Sequence, residues 1–211
     1  MSLKNKSILI TAGPTWVPID SVRVISNTAT GETGILLAKR LRKLGAKVTL
    51  FLGPVGKSSL NTNIEIKRFA YFDELRKKLF SELSNRKYNI LIHSAAVSDY
   101  RPIKNYKGKM DSGIKKLRLE LIPTDKIINL FKKTYPSIFV VGFKFEPSTS
   151  KNALFNKARR LLNNSGIELV VANSIGKFGY RAYLLTRNKI FSSAKTKKEL
   201  VSRLTSFLNR N

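Results

Sequence analysis

Residues 26–34 read SNTATGETG, and what flanks them decides the fold. Upstream, KSILITAG (residues 6–13) is a short apolar run that stops at a glycine, the pattern of a buried strand. Downstream, ILLAKRLRKLG (residues 35–45) carries apolar residues at helical spacing. It stops at Gly45, placed where a glycine closes a helix. KVTLFLG (residues 47–53) then repeats the strand pattern. Two strands bracketing a helix from about Gly34 to Leu44 predict a parallel pair joined by a crossover. Gly31 and Gly34 stand three apart at the helix start, where glycine permits close backbone approach and a helix N-terminus favours an anion. The spacing is not the G-x-G-x-x-G of dinucleotide binding.

The alternation continues along the chain. NIEIKRF (63–69) reads as a strand, and YFDELRKKLFSELSNRK (71–87) as a helix striped by Phe72, Leu75, Leu79 and Leu83. YNILIHSAAVSDY (88–100) is a strand entering a loop of small residues. KLRLELIP (116–123) alternates as a half-exposed strand, and TDKIINLFKK (124–133) is a helix with Thr124 as its N-cap. SIFVVGFKF and IELVVAN are strands, with the helix ALFNKARRLLNNSG (153–166) between them. RAYLLTRNKIFSS (181–193) reads as a hairpin over residues 187–189, and TKKELVSRLTSFL (196–208) as a closing helix. The pattern predicts an α/β chain with a mostly parallel sheet covered on both faces, a Rossmann-like three-layer fold, as one domain over residues 1–211. Ligands in such folds sit beyond the C-terminal strand ends. Those are residues 11–15, 53–56, 94–99 and 142–146, and Asn173.

Composition narrows the function. Of 211 residues, 42% are hydrophobic and 25% charged. There is no apolar run long enough to span a bilayer, and the N-terminus runs straight into a strand with no cleavage site. A cytoplasmic location is expected. The absence of cysteine excludes disulfides, thiolate metal sites and cysteine nucleophiles. The formal charge is +27, from 40 Lys and Arg against 13 Asp and Glu. The basic residues are scattered and not interleaved with aromatics, which points to anionic substrates rather than to specific nucleic-acid binding.

Several familiar patterns fail. GPVGKSS (53–59) ends like a phosphate-binding loop, but Phe51 stands where that loop's first glycine belongs and the chain heads into a strand. It reads as a turn. Tyr100 and Lys104 have the Tyr-x-x-x-Lys spacing of short-chain dehydrogenases, but Pro102 between them argues against a shared helix face. His93, the sole histidine, lies in an apolar strand and reads as a packed residue. No metal ligand is assigned from the protein; Mg²⁺ shared with substrate phosphates fits the carboxylate chemistry available.

Five stretches together resemble phosphopantothenate–cysteine ligase, in that family's order and spacing and over nearly the whole chain. They are ITAGPTWVPIDSVRVISNTATGETG (10–34), AAVSDYRP (95–102), GKMDSGIKKLRLELIPTDKII (108–128), VVGFKFE (140–146) and ELVVAN (168–173). The bifunctional bacterial enzymes add a flavin-dependent decarboxylase domain, whereas this chain starts at the synthetase segment and looks like the stand-alone form. The resemblance implies that the carboxylate of 4′-phosphopantothenate attacks the α-phosphate of CTP, or of ATP in the eukaryotic branch. Pyrophosphate leaves. The amine of L-cysteine then attacks the acyl-nucleotidyl anhydride, a step of coenzyme A biosynthesis. No protein nucleophile is needed, only charge stabilisation and positioning. The resemblance also implies a homodimer and a mobile flap at about residues 104–121.

Carried over position by position, the resemblance implies catalytic roles for Asn27 and Lys109. Asn27 would contact the acyl intermediate, donating without adding charge, although the same residue suits a turn cap. Thr28, Thr30 and Gly31 would bind the substrate phosphate. Gly13, Ala95, Ala96, Asp99, Phe143 and Lys157, with Lys109, would bind the nucleotide. Asp99 also suits a cap, and Phe143 a core aromatic. Lys144 and Arg160 are further candidates for nucleotide contact. Lys109 rather than Lys107 is picked by its ten-residue spacing from Asp99, and Gly108 and Gly113 suit a moving loop. Two departures stand in the phosphate loop. Ala29 drops a hydroxyl, and Glu32 replaces a basic residue, suiting the helix dipole but repelling a phosphate if it turns inward.

Overall fold

The computed structural model describes residues 3–56, 63–104 and 106–210. In chain order the elements are β1 (Ser7–Ala12), β2 (Trp16–Pro18), β3 (Val24–Ser26), α1 (Glu32–Lys43), β4 (Lys47–Leu52), β5 (Glu65–Arg68), α2 (Phe72–Asn85), β6 (Ile90–His93), β7 (Tyr100–Pro102), β8 (Leu121–Pro123), α3 (Ile127–Thr134), β9 (Phe139–Phe145), α4 (Lys151–Ser165), β10 (Leu169–Gly176), β11 (Gly179–Leu185), β12 (Ile190–Ala194) and α5 (Lys197–Arg210). One sheet runs in the order β12-β11-β10-β9-β6-β1-β4-β5. Strands from β5 across to β10 are parallel, and β11 and β12 extend the sheet antiparallel.

Period-two alternation along each strand feeds two cores. Ile8, Ile10 and Ala12 of β1 join Leu50 and Leu52 of β4 and Leu37 and Leu41 of α1 in one cluster, which α5 completes through Leu200 and Leu204. Leu9 and Phe51 point the other way, to Leu75 and Leu79 of α2, Phe131 of α3 and Leu162 of α4. The three expected layers are therefore α1 and α5, the sheet, then α2, α3 and α4. From β1 the chain moves outward to β4 and β5, then returns through α2 to β6 on the other side of β1. The strand order reverses between β1 and β6, the place where open α/β sheets bind ligands.

Some expectations are corrected. α1 starts at Glu32, not Gly34, because Gly31 takes the left-handed cap position with φ 71°. Gly45 does close this helix: its φ is 86°, and Ala46 N–H returns to Leu41 O at 3.1 Å. Thr124 is not an N-cap; α3 starts after Lys126, and Thr124 Oγ1 instead donates to Ser98 O at 2.6 Å. Of KLRLELIP only Leu121–Pro123 is strand, because its partner β7 has three residues. α4 begins at Lys151, before the expected Ala153, since Ser150 Oγ accepts Ala153 N–H at 3.2 Å. A cap of this kind stabilises a helix by about 1 kcal/mol. β10 runs on to Gly176 and turns directly into β11, which starts at Gly179. In GPVGKSS, Gly53 to Gly56 form no regular element, and Lys57 to Ser59 lie outside the described residues.

Two small antiparallel hairpins, β2–β3 and β7–β8, stand apart from the main sheet. The second encloses the expected flap. Ile103 N–H to Glu120 O, at 3.0 Å, extends its neck past β7.

Candidate active site

The reversal between β1 and β6 is built from small residues because the backbones there nearly touch. Past the strand ends, Ala96 N–H donates to Gly13 O at 2.9 Å and Thr15 N–H to Ala96 O at 3.3 Å, so β1 and the loop after β6 stay in register as far as Pro14 and Ala96. Gly13 has φ 83° and Gly31 φ 71°. A Cβ on Gly31 would lie 3.3 Å from Gly13 N, and one on Gly34 would lie 2.4 Å from Ala12 Cβ and 2.8 Å from Ser94 Oγ. The first turn of α1 therefore rests directly on the ends of β1 and β6. The N–H groups of that turn lie where the strands stop, an arrangement that suits phosphate.

Asn27 locks this corner. Its Nδ2 donates to Ala96 O at 3.0 Å and to Val97 O at 3.3 Å. The amide hydrogens thus join the loop before α1 to the loop after β6, and the side chain caps no helix. Ala95 and Ala96 are half-buried under it, and Ala95 N–H donates to Thr11 Oγ1 at 3.4 Å. Thr28 and Thr30 are exposed at the loop surface, Thr30 Oγ1 accepting Glu32 N–H at 3.4 Å. Glu32, the apparent conflict with a phosphate, is ion-paired with Lys197 at the start of α5.

Asn27, Gly13, Gly31, Ala95 and Ala96 are thus brought together, with Thr28 and Thr30 on the same loop. Asp99 is on the rim. Its main-chain O accepts Thr124 N–H at 2.9 Å, and its carboxylate is paired with Lys126. Phe143 is half-buried on β9, packed against the core shared with α1. Beyond it, Glu146 bridges two of the candidate lysines: its carboxylate meets Lys144 Nζ at 2.9 Å and pairs with Lys157 of α4. Burial alone would raise the Glu146 carboxyl, but hydrogen bonds from Lys157 and Lys144 hold it below its ordinary value. Arg160 is exposed one turn along α4.

Lys109 and Lys107 are both exposed in the loop between β7 and β8. Residues around Lys109 are tied to the β2–β3 turn. Tyr106 N–H donates to Ile19 O and Ser21 N–H to Gly108 O, each at 3.1 Å. Met110 N–H donates to Asp20 Oδ2, also at 3.1 Å. Sequence reasoning assigned no role to Asp20 or Arg23, although both lie in the PIDSVR run that carried the resemblance. It also passed over Glu146. An acid within a Lys-rich stretch was the available signal.

His93 is buried at the end of β6, its Nδ1 2.8 Å from Thr11 Oγ1. Burial pushes its pKa down to about 4, so it is neutral and packed at neutral pH. On β10 and β11, Asn173 Oδ1 and the Tyr180 hydroxyl are buried without closing a hydrogen bond of normal geometry. Burial pushes the Tyr180 phenol up, opposed by the nearby Asn173 amide. Among the described residues no three metal-ligating side chains gather. No helix there is long and apolar enough to cross a membrane.

Residues 3–206 match the family described as the DNA/pantothenate metabolism flavoprotein C-terminal domain. The chain is 38% identical over 179 residues to the coenzyme A biosynthesis bifunctional protein CoaBC of Thermococcus kodakarensis, covering 84% of this chain and 43% of that protein. It therefore spans less than half the length of that relative. Among solved structures, the DNA/pantothenate metabolism flavoprotein from Streptococcus pneumoniae superposes with TM-score 0.86 at 28% identity, covering 97% of this chain and 99% of that one. A Cab2 H337A variant complexed with phosphopantothenate-cysteine shares the fold, with TM-score 0.79 at 17% identity over 98% of this chain and 87% of that one.

Proposed function

The chain belongs to the DNA/pantothenate metabolism flavoprotein C-terminal domain family, and on that footing we propose that it is a phosphopantothenate–cysteine ligase. The observation that carries the reading is the corner at the strand reversal. Two left-handed glycines and a helix N-terminus face one another there, clasped by Asn27. Such a corner suits a polyanion held by main-chain N–H groups. The chemistry asks for little more than this, since the substrate's own carboxylate is the nucleophile.

In this reading the helix start, with Thr28, Thr30 and Gly31, takes the phosphate of 4′-phosphopantothenate. Gly13, Ala95, Ala96 and Asp99 border the nucleotide phosphates, and Phe143 lies toward the base. Lys157, held by Glu146, and Lys109 on the flap face the triphosphate. As charge moves onto pyrophosphate, Lys109 offsets it. Asn27 then keeps the anhydride beside the loop after β6 for attack by L-cysteine. CTP is the expected nucleotide and ATP the alternative. Mg²⁺ would arrive on the nucleotide's phosphates, where it supplies further charge neutralisation.

A homodimer completes the proposal. Val22, Tyr100, Ile103, Tyr106 and Leu121 are exposed apolar residues gathered on the two small hairpins and the flap. Ile103 lines a groove of about 560 Å³ between β2, the start of α2 and β7–β8, and Val22, Tyr100 and Leu121 are chain neighbours of residues that line it. A second copy covering this face would bury them. A cytoplasmic setting fits the same reading.

Pyrophosphate release measured with each nucleotide, with and without 4′-phosphopantothenate, tests the function. Release should need both the acid and a nucleotide, and should be faster with CTP. Release independent of the acid, or none with either nucleotide, rejects a ligase; comparable or higher kcat/KM with ATP rejects the CTP preference.

A further inference from the structure

We propose that Asp20 is a positioning residue for Lys109, holding the flap lysine in register through the main chain on either side of it. The inference rests on the ligase reading above. Asp20 is only 5% exposed. The two oxygens of its carboxylate do different work. Oδ1 accepts Val22 N–H at 2.8 Å and Arg23 N–H at 2.6 Å, which closes the β2–β3 turn on itself. Oδ2 reaches across to the flap and accepts Met110 N–H at 3.1 Å, beside Arg23 Nη1 at 2.5 Å. The same guanidinium nitrogen donates to Met110 O at 3.4 Å.

Ser21 N–H takes Gly108 O, so both chain neighbours of Lys109 are fixed to residues 20–23 while its own side chain stays exposed. Met110, only 8% exposed, plugs the segment into the fold. Burial alone would raise the Asp20 carboxyl. The N–H groups of Val22, Arg23 and Met110, with the Arg23 guanidinium, hold it well below the usual carboxylate range. The anchor is thus charged at neutral pH.

This division between the two oxygens makes the proposal testable. In Asp20→Asn the amide oxygen can still accept from Val22 and Arg23, but the amide nitrogen cannot accept from Met110. The full chain would be compared with Asp20→Asn, Lys109→Gln and the double variant. Two readouts are used: single-turnover formation of acyl-nucleotidate from CTP and 4′-phosphopantothenate, and amide hydrogen exchange across residues 106–110. Asp20→Asn should speed exchange at Met110 and slow the step about ten- to hundredfold, the scale of a misplaced catalytic group. The double variant should be within about twofold of Lys109→Gln, because a displaced lysine and a missing one fail alike.

Unchanged exchange in Asp20→Asn overturns the tether, and rate losses that multiply in the double variant overturn its action through Lys109. Wild-type pyrophosphate release by Lys109→Gln instead removes the role assigned to Lys109, while the exchange result reads the tether independently. Should Asp20→Asn not fold, Met110→Ala loosens the same segment without altering a charge, and the same comparisons apply.

Discussion

Asn27 and Ala96 lie 69 residues apart in sequence and are joined by one hydrogen bond of 3.0 Å, from the side-chain amide to the main-chain carbonyl. That bond fixes the distance between the helix start and the loop after β6. It also decides what an isosteric change would do.

Asn27→Asp would set a carboxylate against two main-chain carbonyls, Ala96 O and Val97 O, in place of two donors. The clasp should open. The variant should still form acyl-nucleotidate, in reduced amount, and convert it slowly to product. Lys109→Gln should instead fail earlier, losing on the order of 10²–10³-fold in pyrophosphate release even without cysteine. Single-turnover reactions with α-³²P-labelled CTP, quenched with and without cysteine, separate the two. Failure of both variants at the same step would sink the assignments.

Gly34→Ala should injure both fold and site. The new methyl would fall 2.4 Å from Ala12 Cβ and 2.8 Å from Ser94 Oγ, so α1 must lift from the strand ends. Overpacking of this kind costs about 1–3 kcal/mol. Urea titration should show the lower midpoint, and calorimetry should show 4′-phosphopantothenate binding weakened beyond what the lost stability explains. Wild-type binding would mean that the helix start does not hold the substrate phosphate.

Much of this architecture is legible in the sequence, and what escaped has physical causes. The βαβ unit from Lys6 to Gly53 is read correctly because buried strands are apolar throughout and Gly45 marks the helix end. The β2–β3 hairpin is invisible because three-residue strands are too short for any period to register. Thr124 resembles a cap, but Ser98 O competes for its hydroxyl from far along the chain. At the site, strand ends and glycines are readable locally. The Asp20–Met110 contact bridges 90 positions, and no local pattern encodes it.

His93 should leave a mark on the acid side of the stability curve. Its pKa falls from 6.5 to about 4 on folding, because burial disfavours the charged ring. Between those values the unfolded chain binds a proton that the folded chain refuses. Stability is therefore full above about pH 6.5 and drains away as the pH falls toward 4, by up to about 3 kcal/mol from this group. Denaturation midpoints of wild type and His93→Gln across pH 4–7 check it. A slope as steep in the variant would assign the effect elsewhere.

The proposed dimer should be sensitive to Ile103→Asp. Ile103 is 46% exposed beside the groove at β7. Sedimentation should find the wild type dimeric at micromolar concentration and the variant largely monomeric, with a lower specific activity. A wild-type monomer that turns over normally would dispose of the second copy.

The placement of β1 between β4 and β6 also bears on how the chain acquires its shape during synthesis. β4 ends at Leu52, so one neighbour of β1 emerges from the ribosome soon after it, whereas the other begins only at Ile90. The first half of the corner can therefore pair early, through contacts close in sequence, while the wall opposite has yet to be made. Asn27 waits for partners made some 70 residues later, Ala96 and Val97. In pulse-labelled refolding, amides of β4 should gain protection before those of Ser94 and Ala96, which hydrogen-bond across the seam to Thr11 and Gly13. A nascent chain arrested after β4 would then be ordered in part and unable to hold nucleotide, because the wall that the sixth strand adds has not yet been made.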